Sequence, residues 1–284
     1  MQMLRLSLLL LFVSQTTEVA PPEIRIEAPP GLSAEKTRLE SFEGKRLADV
    51  ARLVGLRNPG PPIHIELAAD ASDWARAVPR WTAGFARRDK VVIFPSRSPT
   101  YPDSTLDDVL RHEVAHALIW RASSGRPIPR WFNEGLALAA ERGWKFRDQT
   151  QLFFQLASGS RLSLPQLDGL FDGGQSDQTR AYLLSGALVQ GLLTKHGEAA
   201  GGRILAKVGM GASFETAFTD VAGQSTSAAE AEFWIRQRVW TTWMPVLFSQ
   251  ETLWMAITLL ALLAIQRRRR RNAEIRKRWE EEED

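Results

Sequence analysis

The 284-residue sequence contains no cysteine. This absence excludes disulfide frameworks, cysteine-ligated zinc fingers, iron–sulfur clusters and thiol nucleophiles. Any metal site must therefore be built from His, Asp or Glu side chains. Hydrophobic residues make up 44% of the chain and charged residues 24%, an ordinary globular composition that excludes disordered, collagen-like and polytopic membrane classes.

The sequence also lacks an excess of positive charge outside its C-terminal tail. The net charge is +3, and residues 267–284 supply +2 of it through eight basic and six acidic side chains. The remaining residues are nearly neutral. Because affinity for nucleic acids comes mainly from neutralising phosphates, we expect no nucleic-acid partner.

The N-terminus has the pattern of a secretory signal peptide over residues 1–20. Arg5 precedes an apolar run at 6–13, and polar residues follow at 14–18. The run is too short to span a bilayer, although a first buried strand or helix is an alternative interpretation. We therefore expect export, with the main domain outside the cytoplasm.

Residues 245–266 form the longest mostly apolar stretch of the chain. At 1.5 Å per residue they would reach about 33 Å as a helix, the thickness of a bilayer core. Glu251 interrupts the stretch, and the five arginines 267–271 follow it directly, as the positive-inside rule requires. The pattern predicts a single-pass helix in the cell membrane and a charged cytoplasmic tail over 267–284; an amphipathic or buried terminal helix is the alternative.

The pattern between these ends favours an α+β fold. Residues 21–59 read as a helical and extended segment, in which the proline-rich 21–31 is an exposed entry and 33–56 has helical spacing. Residues 63–67 alternate like a half-buried strand, and 83–94 resemble a hairpin. A small antiparallel or mixed sheet is thus expected to precede a mainly helical domain, the two together filling 60–240.

A short motif in the first long helix carries the chemistry. Ser104 and Asp107 predict a capping box, after which the helix contains His112-Glu113-Val114-Ala115-His116, an H-E-x-x-H pattern. Four-residue spacing places both imidazoles on one helix face, where they can hold one Zn²⁺ while Glu113 points to a water molecule.

A catalytic zinc needs a third protein ligand and an open position. Glu134 is the candidate, because it is an acid in the otherwise apolar sequence Trp131-Phe132-Asn133-Glu134-Gly135-Leu136-Ala137. The seventeen residues between His116 and Glu134 allow the first helix to end and a second to return antiparallel. A solvent-facing Glu134 on an amphipathic helix is the alternative.

These two motifs resemble those of the gluzincin metallopeptidases, the thermolysin-like or peptidase MA-like group. The resemblance implies a zincin-like domain over 60–240 in which His112, His116 and Glu134 bind zinc and Glu113 is the general base. Asn-Glu-Gly-x-Ala is similar to the zinc aminopeptidases, but the chain is too short for their multidomain architecture. Thermolysin-like members often have an Asp four residues after the glutamate ligand; Leu138 stands there, so the partners of the ligand histidines are unassigned.

The resemblance also implies a substrate strand and an oxyanion donor. Residues 84–86 would bind extended substrate through an open strand edge, or else form an ordinary hairpin strand. Of the two tyrosines, Tyr101 and Tyr182, Tyr182 would face the metal from the head of a helix beginning near residue 181. His196 competes for this role, but its position before Gly197 suits a helix C-terminus.

The sequence therefore predicts a membrane-anchored zinc peptidase that acts on peptides or proteins outside the cytoplasm. The alternative is a catalytically silent module of the same fold that binds a partner in the cell envelope. An intramembrane protease is excluded, because Asp107, Asp108 and Arg111 flank the motif.

Overall fold

The computed structural model describes residues 19–41, 44–98, 105–141, 146–158, 161–247 and 249–283 of the chain. Nearly all of the predicted signal peptide lies outside these residues. The strands are β1 (Ile24–Glu27), β2 (Ile63–Leu67), β3 (Gly84–Arg87) and β4 (Lys90–Ile93). The helices are α1 (Ser33–Glu40), α2 (Gly44–Leu53), α3 (Asp73–Arg76), α4 (Leu106–Ala122), α5 (Arg130–Glu141), α6 (Phe146–Ser158), α7 (Leu164–Leu170), α8 (Gln175–His196), α9 (Ala200–Gly209), α10 (Phe214–Ala222), α11 (Thr226–Leu247) and α12 (Gln250–Glu283).

The four strands form one mixed sheet in the order β1-β2-β4-β3. β1, β2 and β4 are parallel, whereas β3 runs antiparallel to β4 and is an edge strand. The expected mixed α+β architecture, with a small sheet and mostly helices, is confirmed. The exposed entry segment predicted over 21–31 is wrong in part, because Ile24–Glu27 is a strand that pairs with β2.

β1 was missed because the local signal is short and mixed. Its four residues include two charged side chains, and only Ile26 is buried. Its parallel partner β2 lies more than thirty residues further along the chain. Such long-range pairing leaves no turn signature in the sequence, unlike the β3–β4 hairpin, whose two strands are consecutive.

The long helices pack on one face of the sheet and on one another, whereas the short α3 lies against the opposite face. α4 contacts β3 and β4 on one side and α5 on the other, and α5 packs in turn against α8. α4 is central because most of its residues are buried, among them Val109, Leu110, Val114 and Leu118. The helix with the H-E-x-x-H motif is therefore held between the sheet and the helical layer.

Several predicted helices differ in extent. The helical segment predicted over 33–56 is two helices, α1 and α2. α6 and α7 were not predicted. α8 begins at Gln175 rather than near residue 181, so Tyr182 is its eighth residue and not its head. The capping side chain of α7, Ser163, forms a capping box with Gln166 that fixes where α7 starts.

The membrane helix predicted over 245–266 is not found as one element. α11 ends at Leu247, and α12 begins at Gln250. Within the described residues no helix is long and apolar enough to cross a membrane. The physical reason is that Glu251 leaves only residues 252–265 as an uncharged run, about 21 Å of helix against a core of about 30 Å.

Candidate metal and catalytic site

The helix that carries the motif starts at a defined side-chain cap. The Thr105 hydroxyl accepts a hydrogen bond from the backbone N–H of Asp108. The cap predicted at Ser104 with Asp107 is thus displaced by one residue, and Ser104 itself lies outside the described residues. Because the cap and the acidic first turn both stabilise the N-terminus of α4, the register of the motif on its helix is well determined.

α5 brings the distant acid to the same place. The Asp168 carboxylate accepts hydrogen bonds from the backbone N–H groups of Arg130 (3.1 Å) and Trp131 (2.6 Å), the first two residues of α5. Gly135 lets α5 approach α8 closely, since a Cβ atom there would collide with the backbone oxygen of Ser185. The cap fixes where α5 begins, and the close packing at Gly135 fixes its distance from α8. Together they determine the position of Glu134.

His112, His116 and Glu134 converge on one point. Nε2 of His112 lies 3.1 Å from Nε2 of His116. Oε2 of Glu134 lies 3.5 Å from the first of these atoms and 3.3 Å from the second. The structure therefore brings together the three residues that the sequence proposed as ligands, in an arrangement compatible with a metal ion.

An oxygen atom lies behind each imidazole. Nδ1 of His116 is 3.0 Å from Oδ1 of Asn133, to which it can donate a hydrogen bond. Nδ1 of His112 is 3.4 Å from Oε2 of Glu141, which is fully buried. An acceptor at Nδ1 fixes the tautomer that leaves the Nε2 lone pair available for a metal. Asn133 and Glu141 are therefore the candidates for the orienting partners that the sequence left unassigned.

Asn133 and Glu141 had a recognisable signal in the sequence. Glu141 follows Glu134 by seven residues, two helical turns, so both lie on the same face of α5. An acid in a strongly apolar helix is costly to bury without a partner. The same argument that singled out Glu134 could therefore have singled out Glu141, and Asn133 precedes Glu134 directly.

Glu113, the residue after His112 on α4, lies against the edge strand β3. Its side chain is 5% exposed, and a Cβ atom on Gly84 of β3 would lie 2.9 Å from Glu113 Oε1. Oε2 of Glu113 is buried and has no hydrogen-bond partner among the residues that the structure describes. The absence of a side chain at Gly84 thus leaves space for the Glu113 carboxylate, whose Oε2 atom can still accept a hydrogen bond.

The charges of the site act on one another. Burial raises the pKa of Glu113, and the nearby imidazoles of His116 and His112 oppose this only in part. Burial would also raise the pKa of Glu134, but the two histidines outweigh it and hold that pKa well below its usual range. Conversely, the Glu134 carboxylate raises the pKa of His116 against the effect of burial. Glu134 is therefore an anionic ligand candidate, whereas burial makes the Glu113 carboxylate a stronger proton acceptor than an exposed glutamate.

Comparison with known families agrees with this geometry. The family model of the Peptidase MA superfamily matches residues 45–239. The chain belongs to the Peptidase MA superfamily. This confirms the resemblance to gluzincin-like peptidases that the two motifs indicated. A comparison with curated proteins finds no significant match.

The Peptidase MA superfamily match covers every residue of the site. It spans β2 to β4 and α4 to α10, and thus both the H-E-x-x-H helix and the helix of Glu134. The membership indicates a peptidase-like fold of the metallopeptidase type. The group of His112, His116 and Glu134 is the metal-site candidate within this domain.

The two candidates for an oxyanion donor lie at different distances from the site. The ring of Tyr182 packs edge-on against that of His112, with centroids 6.2 Å apart, and also against Phe171 at 5.3 Å. His196 ends α8, fourteen residues and about 21 Å of helix further on. The structure therefore brings Tyr182, and not His196, to the site of this Peptidase MA superfamily domain; Tyr101 lies outside the described residues.

Proposed function

We propose that this protein is a zinc-dependent metallopeptidase that hydrolyses peptide bonds outside the cytoplasm, with Glu113 as general base. One observation carries the proposal, namely the spacing of the three candidate ligand atoms on His112, His116 and Glu134. Their separations are 3.1, 3.3 and 3.5 Å. Two atoms bound at about 2.0–2.1 Å to one tetrahedral zinc ion lie about 3.3 Å apart, so the spacing suits that ion.

The donor set also favours zinc over harder cations. Two imidazole nitrogens and one carboxylate form the ligand set of catalytic zinc sites, whereas magnesium and calcium prefer oxygen ligands alone. Asn133 and Glu141 behind the imidazoles support the same assignment, because ligand histidines usually donate their second N–H to such oxygens. His112, His116 and Glu134 would thus hold the ion and leave one position open.

Glu113 is the proposed proton acceptor. When bound, zinc supplies Lewis acidity, which polarises the scissile carbonyl and lowers the pKa of water toward about 7. Glu113 would take the proton from the attacking water and return it to the leaving amine. Its burial, its raised pKa and the unpartnered Oε2 atom among the described residues support this role.

β3 is the proposed binding edge for an extended substrate. It is an edge strand, and Gly84 places its backbone against Glu113. Residues 84 and 86 face α4, whereas Phe85 points to the opposite face, where it packs against Trp74 with ring centroids 5.7 Å apart. A peptide that pairs with this edge would pass over the catalytic carboxylate.

Tyr182 is the proposed oxyanion donor. Its ring contact with His112 places it beside the candidate ligands, and a phenol can donate a hydrogen bond to the negative charge that develops on the carbonyl oxygen. The proposal predicts that Tyr182→Phe lowers kcat while leaving bound zinc unchanged. Equal kcat for the variant and the wild type would remove Tyr182 from the mechanism.

Export and membrane attachment are also proposed. The signal-peptide pattern of residues 1–20 supports export. Described residues of α12 expose eight large apolar side chains just before the arginines 267–271; these are Trp254, Met255, Ile257, Leu259, Leu260, Leu262, Leu263 and Ile265. Apolar side chains beside a basic cluster favour attachment to an anionic membrane surface. Fractionation of cells that express the full chain tests this, since recovery in the soluble cytoplasmic fraction would contradict both parts.

The function itself is tested by metal analysis and peptide cleavage on the full chain. Wild type and Glu113→Gln are each expected to bind about one zinc per chain. Only the wild type should cleave members of a peptide library, because the glutamine cannot accept the proton. Glu134→Gln should lose most of the zinc and the activity together.

Different failures would have different meanings. Cleavage at full rate by Glu113→Gln would remove Glu113 from the mechanism. Bound zinc without any cleavage by the wild type would instead favour the catalytically silent module that binds an envelope partner. Glu198→Gln serves as the matched control, because Glu198 is an exposed acid far along the chain from both motifs.

A further inference from the structure

Trp81 and Gln178 are hydrogen-bonded although 97 residues separate them in the chain. The indole Nε1–H of Trp81 donates to Oε1 of Gln178 at 3.0 Å. The amide Nε2 of Gln178 donates in turn to the backbone oxygens of Phe171 (3.0 Å) and Gly173 (3.5 Å). These bonds hold the amide with its oxygen toward the indole. Neither side chain was singled out by the sequence.

The two residues extend from the two walls of the candidate site. Trp81 precedes Gly84 by three residues, so it lies at most about 10 Å from the strand position that touches Glu113. Gln178 lies one helical turn, about 6 Å along α8, before Tyr182. The ring of Tyr182 in turn contacts that of His112. β3 and α8 lie on two sides of the site, and the hydrogen bond between Trp81, in the loop before β3, and Gln178 of α8 connects these two sides at one end.

The loop that carries Trp81 is braced rather than loosely attached. The guanidinium of Arg97 donates to the backbone oxygens of Pro79 (3.0 Å) and Thr82 (3.2 Å), on either side of Trp81. Arg97 is itself anchored to Asp70 at 2.6 Å, and its side chain is only 7% exposed. Both partners of the hydrogen bond between Trp81 and Gln178, called the bridge below, are therefore held in place: the loop of Trp81 by Arg97, and the Gln178 amide by the backbone oxygens of Phe171 and Gly173.

The direction of β3 shows which end of a substrate would meet this bridge. Antiparallel pairing is the more stable form, so a bound peptide would run opposite to β3. Its residues after the scissile bond would then pass Gly84 toward Trp81. Those before the bond would run along Ala86 and Arg87, away from the bridge.

We propose that Trp81 and Gln178 close the cleft on the C-terminal side of the scissile bond and thereby determine substrate length. The inference rests on the proposed peptidase function. A distance of at most about 10 Å accommodates about three residues at 3.3 Å each. The preferred substrates are therefore peptides cut within about three residues of their C-terminus, and longer extensions on that side are excluded.

The test uses the full-length zinc-loaded protein and a series of peptides with one cleavable core. The peptides differ only in the number of residues after the cleaved bond, from one to eight. The wild type is expected to cleave members with up to about three such residues and to lose roughly tenfold or more in kcat/KM beyond that length. Trp81→Ala and Gln178→Ala should each restore cleavage of the long members, with little change for the short ones.

Control variants keep the outcome decisive. Gln190→Ala, on the same helix, removes an amide that bonds only within α8 among the described contacts, to Thr194, and should keep the wild-type length limit. If Trp81→Ala does not fold, as judged by its melting temperature, Gln178→Ala alone decides.

Two results would overturn the inference while leaving the peptidase proposal intact. One is equal cleavage of all lengths by the wild type. The other is an unchanged length limit in the folded variants. Cleavage of no member by the wild type would instead overturn the proposed function, and this inference with it.

Discussion

The carboxylate oxygen Oε2 of Glu141 lies 3.4 Å from Nδ1 of His112, on the side of the imidazole away from the candidate metal position. Glu141 is fully buried and stands two helical turns after Glu134 on α5. One helix therefore contributes both a candidate ligand and the group that orients a ligand from α4. Asn133, on the same helix, does the same for His116 at 3.0 Å.

Glu141→Gln is expected to weaken zinc binding by about 10- to 100-fold without abolishing it. The amide keeps the shape of the side chain but removes the negative charge that favours the correct tautomer of His112. The measurement is a competition titration of zinc against a chelator of known affinity. Glu198→Gln should bind zinc like the wild type, and an equal loss in both variants would show that the effect is not specific to the contact with His112.

Gly135→Ala is expected to destabilise the fold by about 2 kcal/mol, because the added Cβ forces α5 away from α8. That atom would collide with the backbone oxygen of Ser185 and lie 2.5 Å from Cγ2 of Val189. Denaturant unfolding of the zinc-free protein measures the change. Gly191→Ala is the control, since Gly191 is also a helical glycine but its Cβ would meet only Arg236, at 3.8 Å. The control should be neutral or more stable by about 0.5–1 kcal/mol, and equal destabilisation of both would refute the packing argument.

Gly84→Ala is expected to lower kcat by on the order of 10²-fold while leaving bound zinc and the melting temperature nearly unchanged. The new methyl group would lie 2.9 Å from Oε1 of Glu113, and the flexible carboxylate would move away from its catalytic position. Steady-state kinetics with a cleaved peptide, alongside metal analysis, checks this. Gly169→Ala has nothing within 4 Å of its added Cβ and should keep full activity. Full activity of Gly84→Ala would argue against a close approach of substrate and Glu113 at β3.

Asp168→Ala is expected to cost about 1 kcal/mol of unfolding free energy, because two N–H groups at the start of α5 lose their acceptor. Asp172→Ala is the control, since Asp172 forms an ion pair with Arg130 at the same end of α5 but is 80% exposed. An exposed ion pair contributes about 0–1 kcal/mol to the free energy of unfolding. Denaturant unfolding at low and high salt distinguishes the two variants. Salt should reduce the loss of stability in Asp172→Ala more than in Asp168→Ala, because it strongly screens the exposed ion pair. A larger loss in Asp172→Ala would contradict the capping role.

The sequence predicts the grouping of the three candidate ligands from local patterns, whereas parts of the fold around them depend on long-range contacts. H-E-x-x-H spacing places His112 and His116 on one helix face through local geometry alone, and burial cost singles out Glu134. β2 and the β3–β4 hairpin follow from alternation and a tight turn, whereas β1 depends on parallel pairing with a distant strand. The apolar stretch 245–266, predicted as one helix, is divided between α11 and α12, because a boundary between two helices leaves no clear signal in the hydropathy pattern.

By itself, the sequence determined the composition of the site and the helix that presents it, since cysteine is absent and the spacing of two histidines depends only on helical periodicity. Only the tertiary structure decided that Glu134 reaches those histidines, that Asn133 and Glu141 stand behind them, and that Trp81 meets Gln178. These relationships depend on how closely α4, α5, α8 and β3 pack, which is set by glycines, caps and buried apolar side chains far apart in the chain. Side-chain periodicity is a local property, whereas the distance between two helices is the joint result of every contact between them.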